Sequence, residues 1–181
     1  MIPKMELTLA IYVSVAVAIA GWAFVYHNSR FLARQSEANT LVSAVEKMLQ
    51  EISDECQEFW GGDVSELSPL DAQVFSSYVE YRCNFIEKKI ITLDIKCRGL
   101  TQPAPNYLFR DKCISLIGDL RDIATMDAEK NSALEEVERV KKILQVNSSA
   151  LFLFVEVTDF MIERYKTIVD VTYETIDRRQ H

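Results

Sequence analysis

The sequence predicts an all-α protein, in which an N-terminal transmembrane helix continues into an antiparallel bundle of about four long helices. Three observations support this prediction. One N-terminal run has no ionised side chain, and apolar residues recur at helical spacing through most of the remaining chain. In addition, only 5 Gly and 4 Pro occur in 181 residues, so the chain has few residues suited to the many tight turns of a β-sandwich or barrel.

The N-terminal apolar run covers residues 7–29, which are 23 residues without an ionised side chain. At about 1.5 Å per residue, a helix of this length crosses the roughly 30 Å hydrocarbon core. A cleaved signal peptide is the alternative, because residues 18–20 read A-x-A. Apolar residues continue beyond that pattern to Tyr26, which favours an uncleaved anchor over residues 1–29 with a transmembrane helix at about residues 7–28.

Small side chains follow one face of this helix, at Ala10, Ser14 and Ala18. Because such residues allow two membrane helices to approach closely, they form a candidate helix–helix face for self-association or for docking on a partner. The flanking charges predict the orientation. Lys4 precedes the run, whereas Arg30 and Arg34 follow it, so we expect the C-terminal domain, residues 30–181, in the cytoplasm.

The anchor helix is predicted to continue to about residue 60, because apolar residues recur three and four positions apart, at Leu41, Val45, Met48, Ile52, Cys56 and Phe59. Gly61 and Gly62 are expected to end this helix with a left-handed residue. Four acidic residues lie within two turns of it and form a candidate acidic interaction face: Glu51, Asp54, Glu55 and Glu58. The simpler interpretation of these carboxylates is a solvated helix face.

A second helix is predicted to begin at Ser68, which is a suitable N-cap, followed by Pro69 and by Asp71 in the capping-box position. It should extend towards Cys97 and stop at Gly99. Residues 90–98 are ambiguous, because apolar and polar residues alternate there as in a strand. Helical spacing also fits this segment, and no partner strand is evident, so we predict helix.

Residues 99–106 are predicted to form a loop because they contain two prolines one residue apart. A third helix should begin near Asn106, weaken over residues 125–132 and resume over residues 133–146. Residues 148–179 should form a last helix with a narrow polar stripe, made of Glu156, Asp159, Glu163, Lys166, Asp170, Glu174 and Asp177. The rest of that helix is so apolar that we expect it to be central in the bundle.

Residue types needed for several chemistries are missing from the sequence. The chain has only two histidines, His27 at the membrane edge and His181 at the end, and it contains no nucleophile-elbow or phosphate-binding glycine motif. Its net charge of -7 argues against nucleic-acid binding. We therefore predict no enzyme activity, no cofactor and no metal.

The four cysteines, Cys56, Cys83, Cys97 and Cys113, contain no C-x-x-C pair. Their wide spacing disfavours a structural zinc site, and we expect buried free thiols in a reducing compartment. Cys113 lies beside basic residues, so it is the best candidate for a reactive thiol, although buried packing is the simpler interpretation.

These features predict a single-pass membrane protein of the cell membrane. Besides the lipid bilayer, we expect a protein partner, with a homo-oligomer as one form of it, so that the protein acts as an adaptor, regulator or accessory subunit of a membrane complex. One alternative is an envelope-facing structural protein, similar only in layout to phage spanins, with the opposite topology. Another is a membrane effector or sensor, in which the bundle drives association of the anchors.

Overall fold

A computed structural model describes residues 4–63, 68–97 and 107–165, and the side chains of residues 4–10 and 69 lie outside this description. The described residues contain no strand. They form four α-helices and a short 3₁₀ helix: α1 at Lys4–Gly61, α2 at Pro69–Lys96, α3 at Tyr107–Thr125, the 3₁₀ helix at Ala128–Ala133 and α4 at Glu136–Tyr165. The predicted all-helical fold is confirmed for this part of the chain.

The chain divides into two units, Met1–Glu37 and Ala38–His181. The first unit is the N-terminal part of α1, and every side chain from residue 11 to residue 34 is exposed. Exposed residues there include large apolar ones, among them Ile11, Trp22 and Phe24. A helix that is apolar on every side is suited to an apolar environment rather than to water.

The second unit is a bundle in which consecutive helices run in opposite directions. Between α1 and α2, the rings of Phe59 and Phe75 stack at 4.0 Å, and Arg82 contacts Glu51 at 2.9 Å, so later residues of one helix meet earlier residues of the other. Between α3 and α4, Phe109 stacks on Phe160 with the ring centroids 3.7 Å apart. Helix α3 also packs along α2, which completes an up-and-down arrangement.

The core of the bundle contains one stripe of side chains from each helix. The predicted stripe of α1 is largely confirmed, because Val45, Ile52, Cys56 and Phe59 are buried and Leu41 and Met48 are half-buried against the same core. Helix α2 contributes Phe75, Val79, Cys83, Ile86, Ile90 and Leu93, and α3 contributes Phe109, Cys113, Ile117, Leu120 and Ala124. These stripes follow the three- and four-residue spacing of packed helices.

Helix α2 begins as predicted. Ser68 is its N-cap in an extended conformation, and its hydroxyl accepts a hydrogen bond from the Asp71 backbone N–H at 3.3 Å. In return, the Asp71 carboxylate accepts hydrogen bonds from the Ser68 backbone N–H and hydroxyl, both at 2.8 Å. This reciprocal capping box satisfies donors that a helix N-terminus leaves unpaired.

Replacing Ser68 with alanine removes this cap, and we expect the free energy of unfolding to fall by about 1 kcal/mol. The hydrogen bonds from Ser68 lower the pKa of Asp71 from its usual value of 3.8. The contribution of Asp71 to the free energy of unfolding is therefore complete above pH 3.8, the usual pKa, and it is lost as the pH falls through the lower pKa of the folded state. Urea unfolding at neutral and acidic pH measures both effects. Ser68→Asn, which keeps a capping oxygen, should remain close to the wild type.

The ambiguous segment at residues 90–98 is helical up to Lys96, and Cys97 is the C-cap of α2. Ile90 and Leu93 lie in the core, whereas Ile95 is exposed. The predicted stop at Gly99 lies outside the described residues, as does the loop at residues 99–106. The alternation of apolar and polar residues over this segment does not mark a strand, because the same residues also form an apolar helix face at helical spacing.

The predicted left-handed glycine at the end of α1 is wrong, since no described glycine has a positive φ. Helix α1 ends at Gly61, and the Gly62 N–H donates to the Glu58 carbonyl at 3.0 Å. A Cβ atom at Gly62 would lie 2.7 Å from that same carbonyl oxygen. Glycine is needed here because the backbone of the preceding turn is close, and not because of its φ angle.

The expectation that the last helix is central, with its broad apolar face buried, is also wrong. The two predicted segments on either side of residue 147 belong to one helix, α4, and the predicted positions 166–179 lie outside the described residues. Helix α4 buries a single stripe, Val146, Ala150, Leu153, Val157 and Phe160. Leu151 is 60% exposed and Phe152 is 65% exposed, so a second apolar face is left on the surface.

Candidate interaction surfaces

The candidate helix–helix face lies in the first unit. Ser14 and Ala18 are exposed on α1, whereas the side chain of Ala10 lies outside the described part of the chain. The three positions follow one another at single-turn spacing on a continuous helix. The structure thus presents Ser14 and Ala18 on the surface of α1, and their role in helix pairing remains a prediction.

By length and composition, two of the described helices are apolar enough to cross a membrane. In α1, the most apolar stretch has a mean hydropathy of 1.4 and none of it is buried. In α4, the corresponding value is 1.2, and 22% of the stretch is buried because this helix contributes its stripe to the bundle core. Core helices of soluble domains satisfy the same criteria, so α1 is the stronger candidate.

The candidate acidic interaction face lies on α1 in the second unit, and its members differ in environment. Asp54 and Glu58 are exposed one turn apart, and Glu55 is half-exposed between them. Glu51 is different, because its carboxylate forms an ion pair with Arg82 of α2 at 2.9 Å. The surface that remains for a partner is therefore centred on Asp54 and Glu58. In the described residues, no group of three or more His, Cys, Asp or Glu side chains is placed to hold a metal ion.

A groove of about 620 Å³ lies between α3 and α4. Its floor includes the stacked rings of Phe109 and Phe160, and its walls carry charges of both signs. Lys112 donates a hydrogen bond to Glu156, and this contact raises the pKa of Lys112. A lysine held in its charged form is unsuited to act as a nucleophile, so the groove offers charge pairing on an apolar floor.

A second groove of about 380 Å³ follows the same helix pair towards the other end of the bundle. Its apolar lining includes Leu116, Ile123 and Phe152. Asp119 and Asp122 lie on one side, and Lys142 lies on the other. Both grooves combine aromatic or aliphatic side chains with charges, as protein–protein interfaces commonly do with an apolar core and a polar rim.

The four cysteines are free and buried, as predicted. Burial raises the pKa of Cys56 and of Cys113 to about 12 and that of Cys83 to about 11. Burial also raises the pKa of Cys97. Cys113 lies in the core of α3, and the neighbouring Lys112 lowers its pKa by less than burial raises it. Its burial and its raised pKa both favour packing over a reactive thiol at Cys113.

We expect the native thiols to resist modification. Since the thiolate is the reactive form, the folded chain at pH 8 should react with less than one equivalent of Ellman's reagent over minutes, and the chain in 6 M guanidinium chloride should react with four. Ser115→Cys provides the matched control, because residue 115 is exposed on α3 and should add one rapidly reacting thiol. Rapid reaction of a native cysteine in the folded chain would contradict the buried positions.

The bundle end at which α1 and α3 terminate, here called the closed end, has hydrogen bonds that the sequence did not reveal. The last carbonyl groups of a helix have no partner within the helix. Here Trp60 Nε1 donates to the Ala124 carbonyl at 3.2 Å, and Lys142 Nζ donates to the Met126 carbonyl. Asn131, which is buried in the 3₁₀ helix, donates to the Phe59 carbonyl at 2.9 Å.

Lys142 strengthens this closed end in a second way, because its ammonium lies over the Trp60 ring, 4.9 Å from the centroid. Burial lowers the pKa of Lys142, and the nearby Asp127 partly opposes that shift. Arg139 also donates to the Gly62 carbonyl at 3.3 Å. Cations near helix C-termini are favoured by the helix dipole, so Lys142 and Arg139 are expected to stabilise this end of the bundle.

Comparison with other proteins does not add to this description. No protein-family model, no curated protein and no solved structure matches the chain. The candidate surfaces therefore rest on the geometry and the charges described above.

Proposed function

We propose that this chain is a single-pass membrane protein whose helical bundle acts through protein–protein contacts, as an adaptor, regulator or accessory subunit of a membrane complex. The observation that carries the proposal is the exposed apolar surface of the first unit. Side chains such as Val17, Ile19 and Phe24 of α1 are more than half exposed. A hydrocarbon environment would remove this surface from water.

The proposed orientation places the bundle in the cytoplasm. Arg30 and Arg34 follow the apolar run, whereas Lys4 alone precedes it and is offset by Glu6. Four free thiols also suit a reducing compartment, because disulfides form and persist in oxidising ones. The opposite orientation belongs to the envelope-facing alternative.

The protein contacts are supported by surfaces that a self-contained bundle does not need. Asp54 and Glu58 form an exposed acidic pair on α1, and the two grooves between α3 and α4 carry exposed apolar side chains. Among the described residues, Cys113 has a raised pKa, Lys112 is held in its charged form by Glu156, and Lys142 donates to the Met126 carbonyl and lies over the Trp60 ring. Binding is the activity that these surfaces support best.

Two measurements on the full chain test the membrane part of the proposal. First, the chain should remain in the membrane pellet after alkaline carbonate extraction, and its release would overturn the anchor. Second, Ser115→Cys supplies one exposed thiol in a chain whose native thiols are buried. In sealed cells, an impermeant maleimide should label this residue only after permeabilisation, and labelling before permeabilisation would reverse the orientation.

Photo-crosslinking tests the protein contacts. A photoreactive residue placed at position 54 or 58 in the membrane-bound chain should yield a discrete adduct with one partner. The same residue at position 115, which is exposed on α3, serves as the control and should not yield that adduct. If positions 54 and 58 give only the diffuse adducts of the control, the acidic face is a solvated surface.

A further inference from the structure

The outer face of α4 is the side of this helix opposite its buried stripe. It consists of six exposed apolar residues, Val137, Val140, Leu144, Leu151, Val155 and Ile162. Residues 143–155 contain no ionised side chain, although Ser148 of this segment also lies on the outer face. An apolar surface of this length, exposed on a regular helix, indicates a contact that the isolated bundle does not satisfy.

The outer face is arranged symmetrically along the helix. It contains two rows of residues that are seven positions apart, Val137, Leu144 and Leu151 in one row, and Lys141, Ser148, Val155 and Ile162 in the other. If two copies of α4 pair in opposite directions about residues 149–150, Val137 comes opposite Ile162 and Leu144 comes opposite Val155. Leu151 then comes opposite Ser148 and Val140 comes opposite Asp159, so the apolar match rests on the Val137–Ile162 and Leu144–Val155 pairs.

Charge distinguishes the antiparallel direction from the parallel one. Lys141 is an exposed cation within the second row, and Asp159 is an exposed anion near the other end of the face, where it also lines the groove that contains Lys112. In an antiparallel pair, Lys141 of each copy lies beside Thr158 and Asp159 of the other. In a parallel pair, Lys141 would face Lys141, and like charges at such positions oppose pairing.

We propose that the outer face of α4 binds the outer face of a second copy of this chain, with the two helices antiparallel. Covering the six apolar side chains would remove on the order of 600 Å² from water on each copy, which approaches the ~800 Å² per partner of a standard interface. An anionic lipid surface suits this face less well, because acidic residues such as Asp159 accompany it. The pairing concerns the unit Ala38–His181 and does not depend on the proposed anchoring.

Sedimentation equilibrium of the full chain in neutral-detergent micelles tests this pairing. The wild type should form dimers, and Leu144→Glu should raise the dimer Kd by roughly tenfold or more, because it places a carboxylate in the apolar contact. Val74→Glu is the matched control, since Val74 is similarly exposed but lies on α2. A monomeric wild type, or equal dimerisation of wild type and Leu144→Glu, would overturn the proposal.

A charge reversal tests the direction of the pair. Lys141→Glu and Asp159→Lys should each weaken the dimer severalfold, and the double variant should restore it, because the exchanged charges still attract each other in the antiparallel arrangement. A double variant no stronger than either single variant would overturn that arrangement. If the chain proves not to integrate into membranes, the same measurements in buffer still test the pairing, so the two failures can be distinguished.

Discussion

Replacing Trp60 with alanine is expected to lower the free energy of unfolding of the bundle by about 3–5 kcal/mol. Trp60 is 1% exposed, and its ring contacts Phe59 and Phe75 edge-on at the end of the core. The substitution leaves a cavity, leaves the Ala124 carbonyl without its 3.2 Å donor and removes the ring beneath Lys142. Denaturant unfolding of the full chain in micelles, followed by circular dichroism, measures the change.

Two further variants separate these contributions. Trp60→Phe keeps an aromatic ring but lacks the N–H donor, so its free energy of unfolding should lie between those of the wild type and Trp60→Ala. Trp22→Ala is the control for tryptophan removal, because Trp22 is exposed in the first unit and should not change bundle stability. A loss of less than 1 kcal/mol for Trp60→Ala would contradict the buried position and the contacts of this residue.

Introducing two arginines into α1 is expected to abolish the proposed membrane integration. Val13 and Val17 lie one turn apart in the middle of the uncharged run. Each arginine near the centre of a membrane helix costs about 2.5–3.5 kcal/mol on insertion scales, so Val13→Arg with Val17→Arg should move the chain from the alkaline-resistant membrane fraction to the supernatant. Quantitative immunoblotting of the two fractions measures the effect.

The matched control replaces the same two valines with leucine, which keeps the helix apolar and should leave the chain in the membrane. The native thiols of the double-arginine variant should remain unreactive, because Cys56, Cys83, Cys97 and Cys113 are buried in the other unit. Full retention of the arginine variant in the membrane fraction would show that another part of the chain provides the attachment.

The sequence predicted those features that depend on residues close together in the chain. The capping box at Ser68 and Asp71 is confirmed, and it could be predicted because all its hydrogen bonds join residues three positions apart. The core stripe of α1 was also predictable, since helical spacing alone places Val45, Ile52 and Cys56 on one side. The end of α1 was not, because the need for glycine at residue 62 arises from a contact with the Glu58 carbonyl that depends on the exact path of the backbone.

In the candidate sites, too, the sequence predicted what depends on neighbouring residues and missed what depends on contacts between helices. The acidic residues on α1 were found from their spacing, but their differing environments depend on α2, whose Arg82 pairs with Glu51. The closed end of the bundle was not predicted, because Trp60 and Ala124 are 64 residues apart and Asn131 and Phe59 are 72 apart. No local pattern marks a side chain that will satisfy the terminal carbonyl of another helix.

The sequence alone therefore determined that this protein is helical and that its N-terminal run is apolar enough to cross a membrane. Tertiary structure alone decided which apolar face of α4 lies in the core. Both Leu153 and Leu151 belong to an apolar face, yet the first is buried and the second is exposed. The physical reason is that helical spacing defines the faces of a helix, whereas the face that is buried depends on how the side-chain ridges of neighbouring helices fit together.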